Sequence, residues 1–431
     1  MKKKEKNQNS EKASRFSLLQ KGKKTVEKAL VAREERLAET DVIFSEPLTP
    51  VKVDETKPLV KGGVDVPFLI ISLLLVCFGA VMSYSASAVY AQQRYGSSTY
   101  FLWRYLAFTA IAVVLAACFV IFARPWHWRI FSALAYGGAI LLLIAVVFIG
   151  AEGGGAERWI DLGFITIQPS EVAKMAVIML LALYMSKYEK EVNSTHVFGG
   201  SFRHGFLIPM ILIGIPCALI IIQPHLSGTI IVGMIGLVVM FLGGTRMKWL
   251  VALLGMMAVV GILFIFLFGY SMERVQIWLH IDEVDPLGAA WQTLQGLYAI
   301  GSGGFFGVGL GSSRQKFGYV SQPQNDFIFT IICEELGFIG AFALLALFAL
   351  LIWRGIKIGQ RAPDSFCALV VWGLIFKIGL QVAMNIAVVT NSMPNTGVSL
   401  PFFSSGGSAL ILQVFEIGII LSISRYSTQK K

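Results

Sequence analysis

An aspartate opens the apolar segment that reads "PQNDFIFTIICEELG" between residues 323 and 337. Asp326, Thr330 and Glu334 are spaced by four residues, so on a helix they share one face. Glu334 would then lie roughly 12 Å further along the helix, at a rise of 1.5 Å per residue. Acids inside a membrane usually face a protein interior or a wet cavity. We therefore expect this polar face to line a cavity that is open at the start of the helix.

Asp326 has two possible roles at that position. Its carboxylate can cap the helix by accepting the free N–H groups of the first turn. It can also act as a general base, which takes a proton from a reacting hydroxyl group. The residue type and the position allow both roles.

Two further sets of charged residues fall inside apolar segments. Glu171 and Lys174 in "QPSEVAKMAV" are three residues apart, so they either neutralise each other or add a cation for an anionic ligand. Lys377, Gln381 and Asn385 form a second polar stripe at helical spacing. The lysine needs an acidic partner, for which Glu334, Glu335 or Glu416 would serve, and we favour a buried structural network.

The run "GSGGFFGVGLGSS" at residues 301–313 contains six glycines. It lacks the Gly-Lys-Ser/Thr ending of a nucleotide-binding P-loop. Such a run either aims backbone N–H groups at a phosphate or forms a tight turn between short helices. Ser313, Arg314 and Lys316 follow at once, and this basic pair favours an anionic ligand. Arg158 and Arg274 are further cations of the same kind.

The elements that carry these residues are membrane helices. The chain of 431 residues is 55% hydrophobic, and a membrane span needs about 20 apolar residues. We predict an all-α polytopic membrane protein with about ten transmembrane helices, at residues 66–90, 99–123, 128–150, 170–187, 203–222, 226–243, 247–270, 326–352, 364–389 and 405–424.

The distribution of Lys and Arg orients these helices. With the N-terminus in the cytoplasm, every inner loop is basic, so the positive-inside rule predicts that both termini are cytoplasmic. This bias accounts for much of the net charge of +10, and we expect no nucleic-acid partner. Three connections are unusually long, namely 151–169, 271–325 and 390–404. With this orientation all three lie outside, and 271–325 is the large loop between the seventh and eighth predicted spans. The chemistry is therefore expected at the outer face.

The chain divides into three parts. Residues 1–65 form a charged cytoplasmic tail that is expected to be disordered, residues 66–425 form the ten-helix domain, and residues 426–431 form a short cytoplasmic tail. The sequence shows no His/Cys metal cluster, no nucleophile elbow and no dinucleotide fingerprint. Hydrolysis of cytoplasmic ATP is therefore not expected.

Four segments together resemble one family. They are "GAERWIDLGFITIQPSEVAKM", "WQTLQGLYAIGSGGFFGVGLGSSRQKFGYV", "NDFIFTIICEELGFIGA" and "MPNTGVSLPFFSSGGSAL". They occur in the order found in the SEDS family (shape, elongation, division and sporulation), which includes FtsW, RodA and SpoVE. The last segment and the long tail are most similar to FtsW-like members.

The resemblance implies a peptidoglycan glycosyltransferase of the bacterial cytoplasmic membrane, acting at the division septum or in a related morphogenetic process. Its substrate would be lipid II. Its partners would be a class B penicillin-binding protein (a transpeptidase), divisome or elongasome proteins, and membrane lipids. The essential aspartate of the family maps onto Asp326, and substrate-binding roles map onto Arg158, Glu171 and Lys174.

The same resemblance implies an inverting mechanism. Asp326 would take the proton of the GlcNAc 4-hydroxyl of lipid II, which then attacks the growing glycan linked to undecaprenyl diphosphate. Cations would stabilise the leaving diphosphate, and the candidates are Arg158, Lys174, Arg314 and Lys316. Ser313 and Gln292 complete the predicted substrate-binding set. No cofactor is certain; a divalent cation, Mg²⁺ or Mn²⁺, could assist, although the sequence shows no dedicated metal site.

The chain departs from the family pattern at two places. Many members carry an acid and a histidine shortly before the aspartate, where this chain reads "SQPQND", and many read Pro-Asp where this chain has Pro224–His225. An alternative function uses the same cavity and ligand without forming a bond, namely a lipid II flippase. A membrane scaffold for division proteins would explain the tail but not the buried charges.

Overall fold

The computed structural model describes residues 60–427 except 153–156, 164, 195–199, 268, 282, 284, 286, 287, 289, 321, 322, 405 and 406. Most of the predicted N-terminal tail, residues 1–59, lies outside the described residues. So does the end of the predicted C-terminal tail, residues 428–431.

Helices dominate the described chain. They are α1 (Val66–Tyr95), α2 (Tyr100–Phe122), α3 (Pro125–Ile149), α4 (Pro169–Lys187), α5 (Glu189–Val192), α6 (Ile208–Ile222), α7 (Leu226–Leu242), α8 (Met247–Leu267), α9 (Gly269–Leu279), α10 (Trp291–Gly303), α11 (Ile328–Gln360), α12 (Ser365–Val389) and α13 (Gly407–Ser424). A π-helical turn, Arg203–Leu207, leads directly into α6. Short strands form two small antiparallel sheets: β1 (Val60–Lys61) pairs with β5 (Tyr426–Ser427), and β3 (Glu157–Asp161) lies between β2 (Ala151–Glu152) and β4 (Thr166–Ile167).

Nine helices of the described chain are long and apolar enough to cross a membrane. They correspond to nine of the ten predicted spans. The remaining predicted span is α7, which is apolar but only 17 residues long. Proline in the first turn of α1, α3 and α4 sets the start of each helix, because its missing N–H group has no helical partner at that position. The prediction of a polytopic all-α membrane protein is confirmed.

The core of the bundle is formed by α4, α12 and α13. Most residues in the central part of these three helices are buried, whereas the other spans turn most of their apolar residues outward. The helix α4 packs on α7 and α12, and α13 packs on α2. A buried helix can carry polar groups only where protein partners satisfy them. These three helices hold the charged residues Glu171, Lys174, Lys377 and Glu416.

The helix α11 is broken at Gly337, which has a φ of 65°. The glycine-rich segment after α10 packs into the break. The N–H groups of Val308 and Gly309 donate to the carbonyls of Glu334 and Glu335, at 2.9 and 3.0 Å. A side chain on Gly307 or Gly337 would collide with the backbone of the other segment. The continuous span predicted at 326–352 is therefore interrupted, and of the two readings of the glycine run, the tight turn is the one that these bonds support.

Candidate active site

Asp326 lies just outside the first turn of α11. The helix is capped by Phe327, and no side chain accepts a hydrogen bond from its first turn. The capping role that the sequence allows for Asp326 is therefore wrong. The helix begins one residue later than this role requires, because the fully buried Phe327 occupies the cap position. The Asp326 carboxylate, which is partly buried, is left for other contacts.

The backbone at Asp326 is held by Asn385 of α12. The Asn385 Nδ2 donates to the carbonyl of Asp326 at 2.7 Å and to the carbonyl of Val398 at 2.8 Å. Next to Val398, Gly397 has a φ of 68°, and a Cβ there would lie 3.3 Å from Oδ2 of Asp326. Asn385 therefore joins the two segments that meet at the carboxylate. The sequence predicts Asn385 as part of a buried polar stripe, and the structure shows that its partners are the carbonyls of Asp326 and Val398.

The environment of Asp326 suits a base that works near neutral pH. Burial raises the pKa of this carboxyl from 3.8 to about 6, and the positive charge of Arg274 opposes that rise. A general base is most effective when its pKa lies close to the working pH.

A cavity of about 180 Å³ lies beside Asp326. Its lining includes Arg158, His225, Arg274 and Thr396. Arg158 comes from β3 and donates from Nη2 to the Pro224 carbonyl at 2.5 Å, while Nη1 of Arg274 on α9 donates to the Asn395 carbonyl at 2.8 Å. We call this space the arginine cavity.

His225 adds a neutral ring to the arginine cavity. Burial and the nearby charge of Arg158 lower its pKa to about 3. From the sequence, His225 is noted only as a departure from the family pattern. Arg274 is identified as an outer cation but is not included in the predicted substrate-binding set. Both were missed because loops that are far apart in the chain bring them together.

A second cavity, of about 170 Å³, shares Arg274 and Asn395 with the first. Its lining also includes Glu273, Trp278 and Gln292. Of the predicted substrate-binding residues, Gln292 therefore lies in this second cavity and Arg158 in the arginine cavity. Asn395 lines both cavities, and Gly397, two residues further along the chain, lies next to the Asp326 carboxylate.

Glu171 and Lys174 lie deeper, in a buried charge network. Lys174 donates to Glu171 at 2.5 Å, and Lys377 donates to Glu416 at 2.5 Å while lying 3.9 Å from Glu171. Two acids and two bases thus balance inside the bundle. Of the two roles that the sequence leaves open for Glu171 and Lys174, the structure supports the local ion pair, and of the three acids considered for Lys377, Glu416 is its closest partner.

Ser313, Arg314 and Lys316 lie in a different cluster, under the glycine-rich segment. Ser313 Oγ donates to Glu334 at 2.5 Å, and the Arg314 backbone N–H donates to the same carboxylate at 2.8 Å. The buried Lys316 ammonium binds Glu335 at 3.0 Å. None of these three residues lines the arginine cavity or the second cavity. Glu334 and Glu335 are therefore supporting residues, which hold the segment after α10.

The shared polar face of α11 does not line an open cavity, so that expectation is wrong. Thr330 and Glu334 are at most 1% exposed. The Thr330 hydroxyl donates to the Phe327 carbonyl, and a Cβ on Gly296 of α10 would lie 3.4 Å from the Thr330 methyl group. The physical reason is that α10 and the segment after it cover this face of α11.

Comparison with known sequences identifies the family of the chain. A family model described as "Cell cycle protein", which groups FtsW, RodA and SpoVE, matches residues 66–429. Stage V sporulation protein E of Bacillus subtilis is 42% identical over 372 residues, which cover 85% of this chain and 98% of that protein. A protein of Coxiella burnetii named probable peptidoglycan glycosyltransferase FtsW is 35% identical over 381 residues, 87% of this chain and 100% of the relative.

Solved structures share the fold. The rod shape determining protein RodA of Thermus thermophilus aligns with a TM-score of 0.61 at 26% identity, over 84% of this chain and 97% of RodA. A chain from a study titled "Structural coordination of polymerization and crosslinking by a peptidoglycan synthase complex" aligns with a TM-score of 0.67 at 27% identity, over 84% of this chain and 98% of its own length. This chain therefore belongs to the FtsW, RodA and SpoVE family of cell cycle proteins.

Proposed function

We propose that this protein polymerises peptidoglycan glycan strands from lipid II at the outer face of the bacterial cytoplasmic membrane. The observation that carries the proposal is the Asp326 carboxylate, with its pKa raised to about 6, beside a cavity that holds two arginines. The names of the relatives, which include peptidoglycan glycosyltransferases, support the same reaction.

The reaction is an inverting glycosyl transfer. Asp326 takes the proton from the 4-hydroxyl of the GlcNAc acceptor on lipid II, and this oxygen attacks C1 of the terminal MurNAc of the growing strand. The bond from C1 to the diphosphate oxygen breaks, and undecaprenyl diphosphate leaves with both electrons of that bond. A positioned base contributes about 10²–10⁴-fold to such a step.

The arginines serve the leaving group. Arg158 and Arg274 line a partly enclosed cavity, where a fixed positive charge stabilises developing negative charge more than it would in water. Lys174, Arg314 and Lys316 remain predictions as further diphosphate ligands. Ser313 remains a predicted substrate-binding residue, and so does Glu171, which is paired with Lys174. A divalent cation that assists the diphosphate likewise stays a prediction.

The second cavity suits the acceptor sugar. Trp278 and Gln292 line it together with Glu273, and an aromatic ring with amide and carboxylate groups offers both stacking and hydrogen bonds to a sugar. Arg274 lines both this cavity and the arginine cavity. Donor and acceptor would therefore flank one side chain, close to the base that acts on the acceptor.

We also propose a transpeptidase partner of the class B penicillin-binding type and a role in division or a related morphogenetic process. The solved complex that couples polymerization with crosslinking supports such a pairing. Residues 1–65 are proposed as a cytoplasmic tail and residues 66–425 as the catalytic membrane domain.

The test uses the purified full-length chain in detergent with lipid II as the only substrate. A polymerase yields glycan strands that resolve as a ladder on a gel. A flippase yields no strands but moves labelled lipid II across vesicles. Transport without any polymer would contradict the proposal.

A further inference from the structure

The helix α10 runs beside the first turns of α11, in the same direction. Gly296 of α10 lies next to Phe327, where a Cβ would come within 2.9 Å of the aromatic ring. At the end of α10, a Cβ on Gly303 would collide with the carbonyl group of Cys333. The position of α10 is therefore coupled to the backbone of α11 from Gly296 to Gly303.

Glu335 of α11 holds the segment that follows α10. Its Oε1 accepts hydrogen bonds from the Lys316 ammonium group at 3.0 Å and from the backbone N–H of Ser313 at 3.3 Å. Its Oε2 accepts from the hydroxyl of Ser85 on α1 at 2.6 Å. We call this group of residues the Glu335 anchor. One carboxylate thus joins α1, α11 and the chain after α10.

The Lys316 ammonium group is held inside this anchor. Lys316 is 5% exposed, and besides Glu335 it donates to the carbonyl of Gly311 at 2.6 Å. Glu335 is fully buried, so water screens the attraction between the two charges only weakly. Removing one partner of such a pair leaves an uncompensated buried charge, which is strongly destabilising. Lys316 is therefore a structural cation, because two protein acceptors already bind its ammonium group.

The Glu335 anchor reaches the second cavity through α10. Gln292 and Thr293, in the first turn of α10, line that cavity together with residues of α9 and the 391–395 segment. The helix α10 is only 13 residues long, so a shift at its anchored end also displaces its first turn. The shape of the second cavity therefore depends on the anchor, although no residue of the anchor lines it.

We propose that Lys316 and Glu335 are positioning residues for the acceptor sugar. They hold α10 against α11 and thereby fix the two residues of α10 that line the second cavity. This inference rests on the proposed function, which assigns that cavity to the acceptor. It gives Lys316 a different role from the diphosphate ligand that the sequence predicts. The two roles differ in whether a second substitution, at Glu335, restores the reaction.

The test compares Lys316→Met with the double variant Lys316→Met/Glu335→Gln in the full-length chain. The single variant leaves the Glu335 carboxylate buried without its cation, which disturbs the end of α10. In the double variant the Gln side chain is uncharged, and its oxygen still accepts the N–H of Ser313 while its amide group donates to the Ser85 hydroxyl. The double variant therefore keeps the anchor but lacks the cation.

The measured quantities are kcat and the KM for lipid II, each per folded molecule. We expect Lys316→Met to raise KM about tenfold and to change kcat by less than about twofold, because a displaced α10 loses one or two hydrogen bonds to the acceptor. The double variant should recover most of the rise in KM. Recovery of thermal stability without recovery of the reaction would assign Lys316 to the diphosphate and overturn the inference.

Arg354→Met is the matched control on the same helix. Arg354 binds Asp65 at 2.8 Å and lies on the other side of the break at Gly337, near the inner end of α11. Its loss should lower thermal stability but leave the KM for lipid II at the wild-type value. An equal rise in KM for Arg354→Met and Lys316→Met would show a general loss of stability and overturn the inference.

Direct binding of lipid II separates this inference from the proposed function. Binding of fluorescently labelled lipid II is measured for the wild type and for each variant. Polymer formation with an unchanged KM in Lys316→Met would overturn the inference and leave the polymerase intact. Weaker binding by Lys316→Met that the double variant restores, in a protein that makes no polymer, would support the positioning role and overturn the polymerase.

Discussion

Replacing Asn385 by alanine removes the amide that joins the Asp326 segment to the Val398 segment. Two carbonyls lose a donor at 2.7 and 2.8 Å. A buried carbonyl left unpaired costs roughly 1–3 kcal/mol. Because Asp326 is partly exposed and water can replace one bond, one carbonyl stays unpaired, and we expect a loss of about 1–3 kcal/mol in the free energy of unfolding.

The larger effect should be on the reaction. A displacement of about 1 Å in a reacting group can reduce the rate by about 10²-fold. We expect Asn385→Ala to lower kcat by that order while KM for lipid II changes little, because the lining of both cavities remains. The assay is the initial rate of strand formation per folded molecule, with thermal unfolding measured on the same sample.

Gln413→Ala is the control for loss of a buried amide elsewhere in the bundle. Gln413 on α13 accepts the N–H of Phe402 at 2.7 Å, and within the described part of the chain it has no hydrogen bond to the Asp326 segment. It should lower stability with little effect on kcat per folded molecule. If Asn385→Ala keeps the wild-type kcat while its stability falls, Asn385 is a structural residue only, and the positioning argument is refuted.

Three other predictions follow from single features. The rate of polymerisation should rise with pH through about 6 and then level off, because Asp326 must be ionised to accept a proton and its pKa is raised; a flat profile between pH 5 and 8 would contradict this. Gly337→Ala should abolish the folded monomer in size-exclusion chromatography, because the φ of 65° and the backbone of Phe305 and Gly307 leave no room for a Cβ at residue 337. The control Gly255→Ala should fold normally. Lys377→Met should lower the free energy of unfolding by about 3–5 kcal/mol, because it leaves the Glu416 carboxylate unpaired. Adding Glu416→Gln to this variant should recover part of the lost stability, as measured by thermal unfolding. A double variant no more stable than Lys377→Met would argue against the pair.

The membrane helices could be predicted from the sequence because an apolar run of about 20 residues is a long and specific signal. The break at Gly337 could not, since one glycine in an apolar run leaves the pattern unchanged and the break depends on contacts with the segment after α10. The same distant contact explains why the polar face of Thr330 and Glu334 is covered rather than open.

The sequence predicts those parts of the candidate site whose residues lie within one short motif. Asp326 follows from its position and from the family resemblance, and the Glu171–Lys174 pair follows from helical spacing. The grouping of Arg158, His225 and Arg274 depends on three connections that meet only in the folded bundle. Basic residues in a loop sequence do not reveal which of them share a cavity and which, like Lys316, are paired with a buried acid.

The most direct test of the central claim is the rate at which Asp326→Asn polymerises lipid II, compared with Glu283→Gln, an exposed acid of the same predicted outer loop. Asn keeps the shape of the side chain but cannot take the proton. We expect Asp326→Asn to bind lipid II and to lose at least about 10²-fold in strand formation, with Glu283→Gln unchanged. Strand formation by Asp326→Asn at the wild-type rate would contradict the account.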